Sequence, residues 1–350
     1  MARARLTIDL DAITRNWRAL DALSAPEVET AAVLKADAYG LGAGAVGPAL
    51  AAAGVRSFFV ALAEEGVALR EAVGPVPAIY VFAGLMPGDA PLFEAADLIP
   101  CLNSPGQAAD FLRELPGRPC ALQVDTGMNR LGLEPAEFDA IAGDLARLAP
   151  VLAISHLACS DEPDHPMNAS QAAAMTDFAA RLPGVRLSLA ATGGTLLGAP
   201  FHFGLVRPGV GLYGGMPFAA ASPVVSLSLP VVQVRDVAPG EAVGYSATWT
   251  AAGPARIATV SAGYADGLLR ALGNGGFDLL AGDVRCPVIG RVSMDLITVD
   301  VTGLGSVPAM LDLLGPQQGV DDLARSAGTI GYEILTSLGP RYERVYKGGS

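Results

Sequence analysis

Short apolar runs alternate with alanine- and leucine-rich segments through the first two-thirds of the 350-residue chain, and that rhythm leaves few architectures open. The runs at 30–34, 57–61, 78–82, 98–102, 120–124, 151–154 and 187–190 are bounded by turn residues and carry little polar alternation, as strands buried on both faces do. Segments such as 105–115 and 135–148 lie between them and read as crossover helices. With an eighth strand near 205–210, the pattern predicts an α/β fold, a TIM-type (β/α)₈ barrel.

From about Pro223 the texture changes. The stretches 224–234, 241–250, 255–260 and 284–301 are strand-like and punctuated by Gly and Pro, with one helical stretch at 320–327. The expected division is therefore a barrel over 10–222 and a mostly β C-terminal domain over 223–350, joined by an N-terminal strand over 1–9.

Composition narrows the function classes. Although 51% of residues are hydrophobic, charges or prolines interrupt every apolar stretch before the ~20 residues that a spanning helix needs, so no membrane segment is expected. Asp9 and Asp11 occupy the place of a secretory apolar region, which reads as a cytoplasmic start. A net charge of -12 argues against nucleic acid as a partner. Cys101, Cys120, Cys159 and Cys286 form no Cys-x-x-Cys pair and read as reduced, buried thiols.

Only two lysines occur, Lys35 and Lys347, in a chain that otherwise uses arginine. Lys347 sits in a Gly-rich tail and reads as solvated. Lys35 ends an apolar run and opens Lys35-Ala36-Asp37-Ala38-Tyr39-Gly40, a position where arginine would not serve if the chemistry were imine formation. A lysine can lose its proton and condense with a carbonyl, whereas a guanidinium stays charged. The competing reading is an ordinary surface lysine. In a barrel, however, residues just after each strand share the C-terminal rim where such enzymes do their chemistry. Lys35, the segment 125–130, His156, Thr192 and Arg207 would then converge.

Two other motifs point elsewhere. Gly42-Ala43-Gly44-Ala45-Val46-Gly47 matches a dinucleotide fingerprint with Glu64 at the ribose-acid spacing, but residues 35–41 intervene between strand and glycines. The segment from His156 to His165 crowds metal-competent side chains at spacings that fit no familiar zinc pattern, so no metal is assigned. Two tyrosines stand in tight glycine contexts in the β-rich part, in Gly244-Tyr245-Ser246 and Gly263-Tyr264-Ala265-Asp266-Gly267.

Taken together, the segments Val33-Leu34-Lys35-Ala36-Asp37-Ala38-Tyr39-Gly40, Asp125-Thr126-Gly127-Met128-Asn129-Arg130-Leu131-Gly132, Ser155-His156-Leu157-Ala158, Val206-Arg207-Pro208-Gly209, Gly244-Tyr245-Ser246, Gly263-Tyr264-Ala265-Asp266-Gly267 and Ser293-Met294-Asp295 resemble the alanine racemases in order and spacing, over essentially the whole chain. The resemblance implies pyridoxal 5′-phosphate bound to Lys35 as an aldimine. It assigns Tyr39, Thr192, Gly209, Val210 and Tyr332 to the phosphate, His156 to a place beside the ring, and Arg207 to the pyridine nitrogen. A guanidinium there would weaken the ring as an electron sink and favour reprotonation at Cα. Lys35 and Tyr245 would be the two bases of a reaction interconverting L-alanine and D-alanine, as in D-alanine supply for cell walls. Arg130 would bind the substrate carboxylate, and Tyr264 and Met294 would narrow the pocket around its methyl. The family pattern also implies a homodimer in which the tyrosine base and the methionine come from the neighbouring subunit.

Two positions depart from the family. Where a carbamylated lysine usually orients the arginine, this chain has Gln123, whose amide could hydrogen-bond Arg130 without neutralising it; an asparagine-serine phosphate segment is replaced by Ala191-Thr192. A serine or broad-specificity racemase and a non-catalytic pyridoxal-phosphate carrier remain alternatives. The β-rich domain with Tyr245 counts against the carrier, and Arg207 counts against a decarboxylase, which expects an acidic partner at the ring nitrogen.

Overall fold

The parallel strands follow the apolar runs in sequence order. The computed structural model describes residues 3–349. The chain divides into a barrel unit, Ile13–Leu212 with Pro217–Ala221, and a β-rich unit made of the stretch up to Ala12, Tyr213–Met216 and Ser222–Gly348.

In the barrel unit, Ala32–Val33, Ser57–Val60, Ala78–Val81, Ile99–Leu102, Ala121–Gln123, Leu152–Ile154 and Arg186–Ser188 form one parallel seven-stranded sheet. An eighth, Leu205–Val206, closes it. Its residues pair in parallel with Glu29–Thr30, while the N–H groups of Gly204 and Arg207 donate to the carbonyls of Leu187 and Ala190 at 3.1 and 2.8 Å. The run at 30–34 is split at Ala31 because it serves two neighbours: the N–H of Ala31 donates to Val206 and Ala32 pairs with Phe58. Ser57–Val60, Ala78–Val81, Ala121–Gln123 and Arg186–Ser188 stop one or two residues before their apolar runs do, whereas Ile99–Leu102 and Leu152–Ile154 start one residue late. Inside the ring Phe59 stacks on Tyr80 and Phe82 at 4.7 and 5.3 Å between centroids, which fills the interior with side chains as this architecture requires.

Helix boundaries follow capping chemistry. Ser104 Oγ accepts from the N–H of Gln107 at 3.2 Å ahead of Pro105–Glu114, and His165 Nδ1 accepts from Met167 ahead of Pro166–Arg181, with proline at the first helical position in both. One of the metal-competent histidines is therefore a helix cap. The segment 135–148 is not one helix: it breaks into Pro135–Ile141, a 3₁₀ turn at Ala142–Asp144 and Leu145–Leu148. The fingerprint-like glycines open the helix Ala43–Ala53, and a Cβ on Gly47 would stand 2.7 Å from Leu69 Cδ1 and 2.9 Å from Val73 Cγ1. Gly47 serves helix packing.

In the β-rich unit eight strands form one sheet in the order Ala255–Val260, Ile297–Asp300, Val284–Ile289, Asp278–Ala281, Met310–Leu314, Val225–Val237, Arg5–Asp9 and Glu343–Lys347. The long strand Val225–Val237 pairs with Met310–Leu314 along its first half and with Ala255–Val260 along its second, with a register shift between Val231 and Gln233. That irregularity lets one strand turn between two partners and closes six strands into a ring. The stretch 284–301 is two strands, interrupted at Gly290 with φ 67°. A helix absent from the sequence reading, Gly331–Ser337, follows Val320–Ala327; its opening glycine and closing Thr336-Ser337 carry weak helix propensity. Among the described residues no helix is long and apolar enough to cross a membrane.

The close approach at Gly47 makes a specific prediction. Gly47→Val should destabilise the barrel unit by about 1–3 kcal/mol through overpacking against Leu69 and Val73, read as a lower urea midpoint. An unchanged midpoint would show that the two helices part without cost.

Candidate active site

The rim of the barrel unit begins with an unusual backbone. Immediately after Lys35, the residues Ala36, Asp37, Ala38 and Tyr39 all have φ between 53° and 57°, one turn of left-handed helix built from L-residues other than glycine. Such a conformation costs about 1–2 kcal/mol per residue. It follows Lys35 directly at the strand end and carries Tyr39 into the interior, where its exposure is 5%.

Tyr39 packs against the turn after the eighth strand. A Cβ on Gly209 would lie 2.3 Å from the Tyr39 hydroxyl, and one on Gly211 would lie 2.6 Å from Thr192 Cγ2. Thr192 Oγ1 accepts from the N–H groups of Gly209 and Gly211 at 3.1 and 3.2 Å. Thr192 and Val210 are buried. Only glycine lets Tyr39, Thr192 and these amides crowd together, and because the two N–H groups are spent on Thr192 Oγ1, they fix a hydroxyl that keeps its own hydrogen to donate, as an anion such as phosphate requires.

Arg207 is buried, and its guanidinium has no carboxylate partner among the described residues. It donates to Ser188 Oγ and, at 2.5 Å, to the carbonyl of Ser155, and it lies 5.7 Å from the centre of the Phe59 ring. Burial pushes its pKa down to about 10, which leaves it a cation at neutral pH. His156 feels burial first, then the charges of Arg207, Arg130 and Lys35, and is pushed down to about 3. The imidazole is neutral. Lys35 is exposed as a residue, yet burial around its side chain and the nearby Arg130 charge hold its amine below the usual lysine range, opposed by Glu65.

Arg130 is exposed, carried by a loop that folds back on its own strand. Asp125 Oδ1 accepts from the N–H of Gly127 at 2.7 Å, and Gly132, at φ 121°, would bring a Cβ to 2.9 Å from the Val124 carbonyl carbon. The Gln123 amide donates to the carbonyl of Leu131 at 3.2 Å, not to Arg130. Of the two neighbours the sequence allows Arg130, the Gln123 amide or an anion such as chloride, the amide is instead turned to a bond that closes the loop. Sequence reasoning also missed Gln171. From the helix Pro166–Arg181 it donates to Thr126 Oγ1 and to the His156 carbonyl at 3.1 and 2.8 Å, and its own carbonyl accepts from Ala158. Two rim loops are locked by one amide.

The β-rich unit carries the remaining residues. Tyr245 stands at the tip of the hairpin formed by Ala242–Val243 and Trp249–Thr250, and is 71% exposed. Its base is firm, because Val243 and Trp249 pack on the buried cluster of Val237, Ala251, Ile257 and Ile289. Tyr264 and Met294 lie on two loops joined by their backbones: Tyr264 N–H donates to Ser293 and Ala265 N–H to Met294, both at 3.0 Å. Arg341 clamps the same loops, with both oxygens of Asp266 at 2.6 and 2.7 Å and with Asp295 at 2.8 Å. Asp266 and Asp295 sit within motifs that the sequence flagged for their tyrosine and methionine, but nothing local announces a partner at 341. Tyr332 belongs to the helix Gly331–Ser337 and is partly exposed.

Comparison with known proteins covers both units. Residues 8–217 match the family described as alanine racemase, N-terminal domain, and residues 224–346 match alanine racemase, C-terminal domain. Curated relatives called alanine racemase are 60% identical in Cereibacter sphaeroides, over 99% of both chains, and 59% identical in Dinoroseobacter shibae, over 100% of this chain and 99% of that one. Among solved structures, an alanine racemase from Bartonella henselae with covalently bound pyridoxal phosphate superposes with a TM-score of 0.93 at 37% identity, covering 99% of this chain and 100% of that one. A biosynthetic alanine racemase from Pseudomonas aeruginosa gives 0.92 at 34%, with the same coverage.

The charge crowding at His156 is testable by pH. Its folded pKa of about 3 lies below the ordinary histidine value of ~6.5, so the folded state resists the proton that the unfolded chain takes up. Stability from this group is complete above ~6.5 and is lost as pH falls towards 3. In an NMR titration the imidazole signal absent from a His156→Asn variant should remain that of the neutral ring at pH 5. Titration near 6.5 would contradict the electrostatics described.

Proposed function

The chain belongs to the alanine racemase family, and from that premise we propose that it interconverts L-alanine and D-alanine with pyridoxal 5′-phosphate held by Lys35, Lys35 and Tyr245 carrying the proton on opposite faces. The observation that supports this best is the rim itself: a lysine of lowered basicity, followed by a turn whose Tyr39 hydroxyl packs on a glycine-dependent loop that fixes the Thr192 hydroxyl. The residues fit the cofactor's two demands, an amine that can lose its proton and a donor-lined seat for a phosphate.

When bound, pyridoxal phosphate supplies a ring that withdraws electrons from the substrate's Cα–H bond. The chain's residues do the rest. Tyr39, Thr192 and the Gly209–Val210 backbone, with Tyr332, would hold the phosphate. Arg207, charged and able only to donate, would face the ring nitrogen and leave it without a proton, which moderates the pull on electrons and returns the proton to Cα. Neutral His156 packs beside this group without adding a further cation. Arg130 offers a guanidinium to the substrate carboxylate. Gln123 is engaged with Leu131 and leaves Arg130 un-neutralised for that task.

Lys35 would take or give the proton on one face and Tyr245 on the other, while Tyr264 and Met294 bound the space for a methyl group. Tyr245 and Met294 are 71% and 53% exposed, which suits side chains that complete a site on a second copy. The working form in this reading is a homodimer with shared sites. Replacement of the usual lysine by Gln123 also favours asking whether substrates larger than alanine are accepted.

Incubation of the purified protein with single L-amino acids, resolved on a chiral column, tests the reaction: D-alanine should form and D-serine should not. Comparable turnover of both would favour a broad-specificity racemase. The two-base assignment has its own test. Tyr245→Phe keeps the ring and removes the proton carrier, a loss that typically lowers rates about 10²–10⁴-fold. Exchange of the α-proton of D-alanine with solvent deuterium, assigned to Lys35, should survive better than exchange from L-alanine. Equal loss of both would remove the face-specific role of Tyr245.

A further inference from the structure

One carboxylate holds the entry of the left-handed turn that presents Lys35. The turn supports itself along its length: Ala38 N–H donates to the carbonyl of Leu34 at 2.9 Å, Gly42 N–H to that of Asp37 at 2.9 Å, and Ala43 N–H to Asp37 Oδ1 at 2.7 Å. Its first residue is held from outside. Ala36 N–H donates to Glu65 Oε1 at 2.7 Å, while Glu65 Oε2 accepts from Ala61 and Leu62 at 2.7 and 3.3 Å. Glu65 stands in the first turn of the helix Ala63–Val73. Ala61 and Leu62 leave the strand Ser57–Val60, which pairs with the strand that delivers Lys35.

The carboxylate is therefore fixed by its own helix and by the end of one strand, and it grips the backbone where the next unit of chemistry begins. A left-handed turn of four non-glycine residues does not persist unless its surroundings over-determine it. The charged groups acting on the Lys35 amine are Arg130 from the loop after Ala121–Gln123, Glu65 from its helix, and, if it were ever protonated, His156 from the loop after Leu152–Ile154. Asp37, in the turn itself, spends one carboxylate oxygen on Ala43.

We propose that Glu65 is a positioning residue for the reaction: its carboxylate clamps the entry of the left-handed turn that aims Lys35, and its charge offsets Arg130 at the amine. This rests on the reading of Lys35 as the reactive amine. Removing the charge while keeping the shape, as in Glu65→Gln, leaves one oxygen to serve three amides and turns an NH₂ towards N–H donors. The turn should loosen, and the amine should lose the one carboxylate charge that favours its protonated form.

The two-lysine composition makes the test clean. The full-length protein, stripped of cofactor, is pulsed with acetic anhydride across a pH series, and acetylation of Lys35 is compared with that of Lys347 in the same molecules by mass spectrometry. Lys347 is paired with Asp9 in the other unit and serves as the internal standard. In Glu65→Gln the Lys35 curve should move to lower pH while the Lys347 curve stays, and amide exchange over 34–43 should accelerate. Glu65→Asp keeps the charge but shortens the reach. It should speed exchange with the Lys35 curve left near that of the parent protein, and it replaces Glu65→Gln as the test of the clamp if the latter does not fold. Superposition of Glu65→Gln on the parent in both readouts, or unchanged exchange in Glu65→Asp, overturns the proposal. Borohydride reduction of the cofactor-loaded parent separates the premise: a pyridoxyl label on Lys347 would sink the role of Lys35 without touching the acetylation result.

Discussion

Burial first, and then three cations, Arg207, Arg130 and Lys35, act on the single imidazole of His156, and this crowding of positive charge on one buried ring is the constraint around which the barrel rim is arranged. Arg207 cannot move away, being buried and bonded to Ser188 and Ser155. Its partners are neutral, so its charge is undiminished at the site. Neutral His156 and a less basic Lys35, each shifted first by burial and then by neighbouring cations, keep the positive charge of the rim down without an acid. Anions brought to the rim would offset the remainder, so groups of the phosphate or carboxylate kind suit this surface and a further cation does not. Glu65 is the exception, admitted at the edge where it also holds backbone.

The parallel strands were legible because strands buried on both faces must be continuous apolar runs. Their ends were not, since Ser155, His156, Ser188 and Ala190 belong to runs or their margins yet face a site whose demands are chemical. The left-handed turn at Ala36–Tyr39 carries no local signal: only glycine advertises positive φ, and here alanine, aspartate, alanine and tyrosine adopt it under tertiary restraint. Rim residues could be nominated from strand-end position alone. Their supports, Glu65 and Gln171, lie on other elements, as does Arg341 for the loops of Tyr264 and Met294 in the β-rich unit, and sequence distance hides such partners. Gly47 shows the opposite hazard, a motif match explained by two helices packed closer than a Cβ permits.

In the β-rich unit, rigidity is distributed differently. Tyr264 and Met294 are exposed by 43% and 53%, but the backbones beneath them are fixed by two successive N–H donors of one loop on two carbonyls of the other and by Arg341 spanning Asp266 and Asp295. The Asp266 carboxylate also accepts from Gly263 at 2.9 Å, so a single acid terminates one loop and anchors its neighbour. The backbone beneath these exposed side chains has little freedom left to lose, so only their rotamers would remain to be ordered by a ligand or a second surface.

The pairing of Arg5–Asp9 with Val225–Ser228 on one side and Glu343–Lys347 on the other carries a consequence for biogenesis. The strand Arg5–Asp9 has no neighbour until the barrel strands between Glu29 and Val206 have been synthesised, and its second neighbour, Glu343–Lys347, follows later still. The barrel unit, whose segments are nearly contiguous, can assemble while the chain is still growing. The strand at its head must meanwhile remain unpaired, an edge available to chaperones or to a neighbouring nascent chain. Arginines at positions 3 and 5, with little apolar length between them and Asp9, keep that waiting edge short and charged.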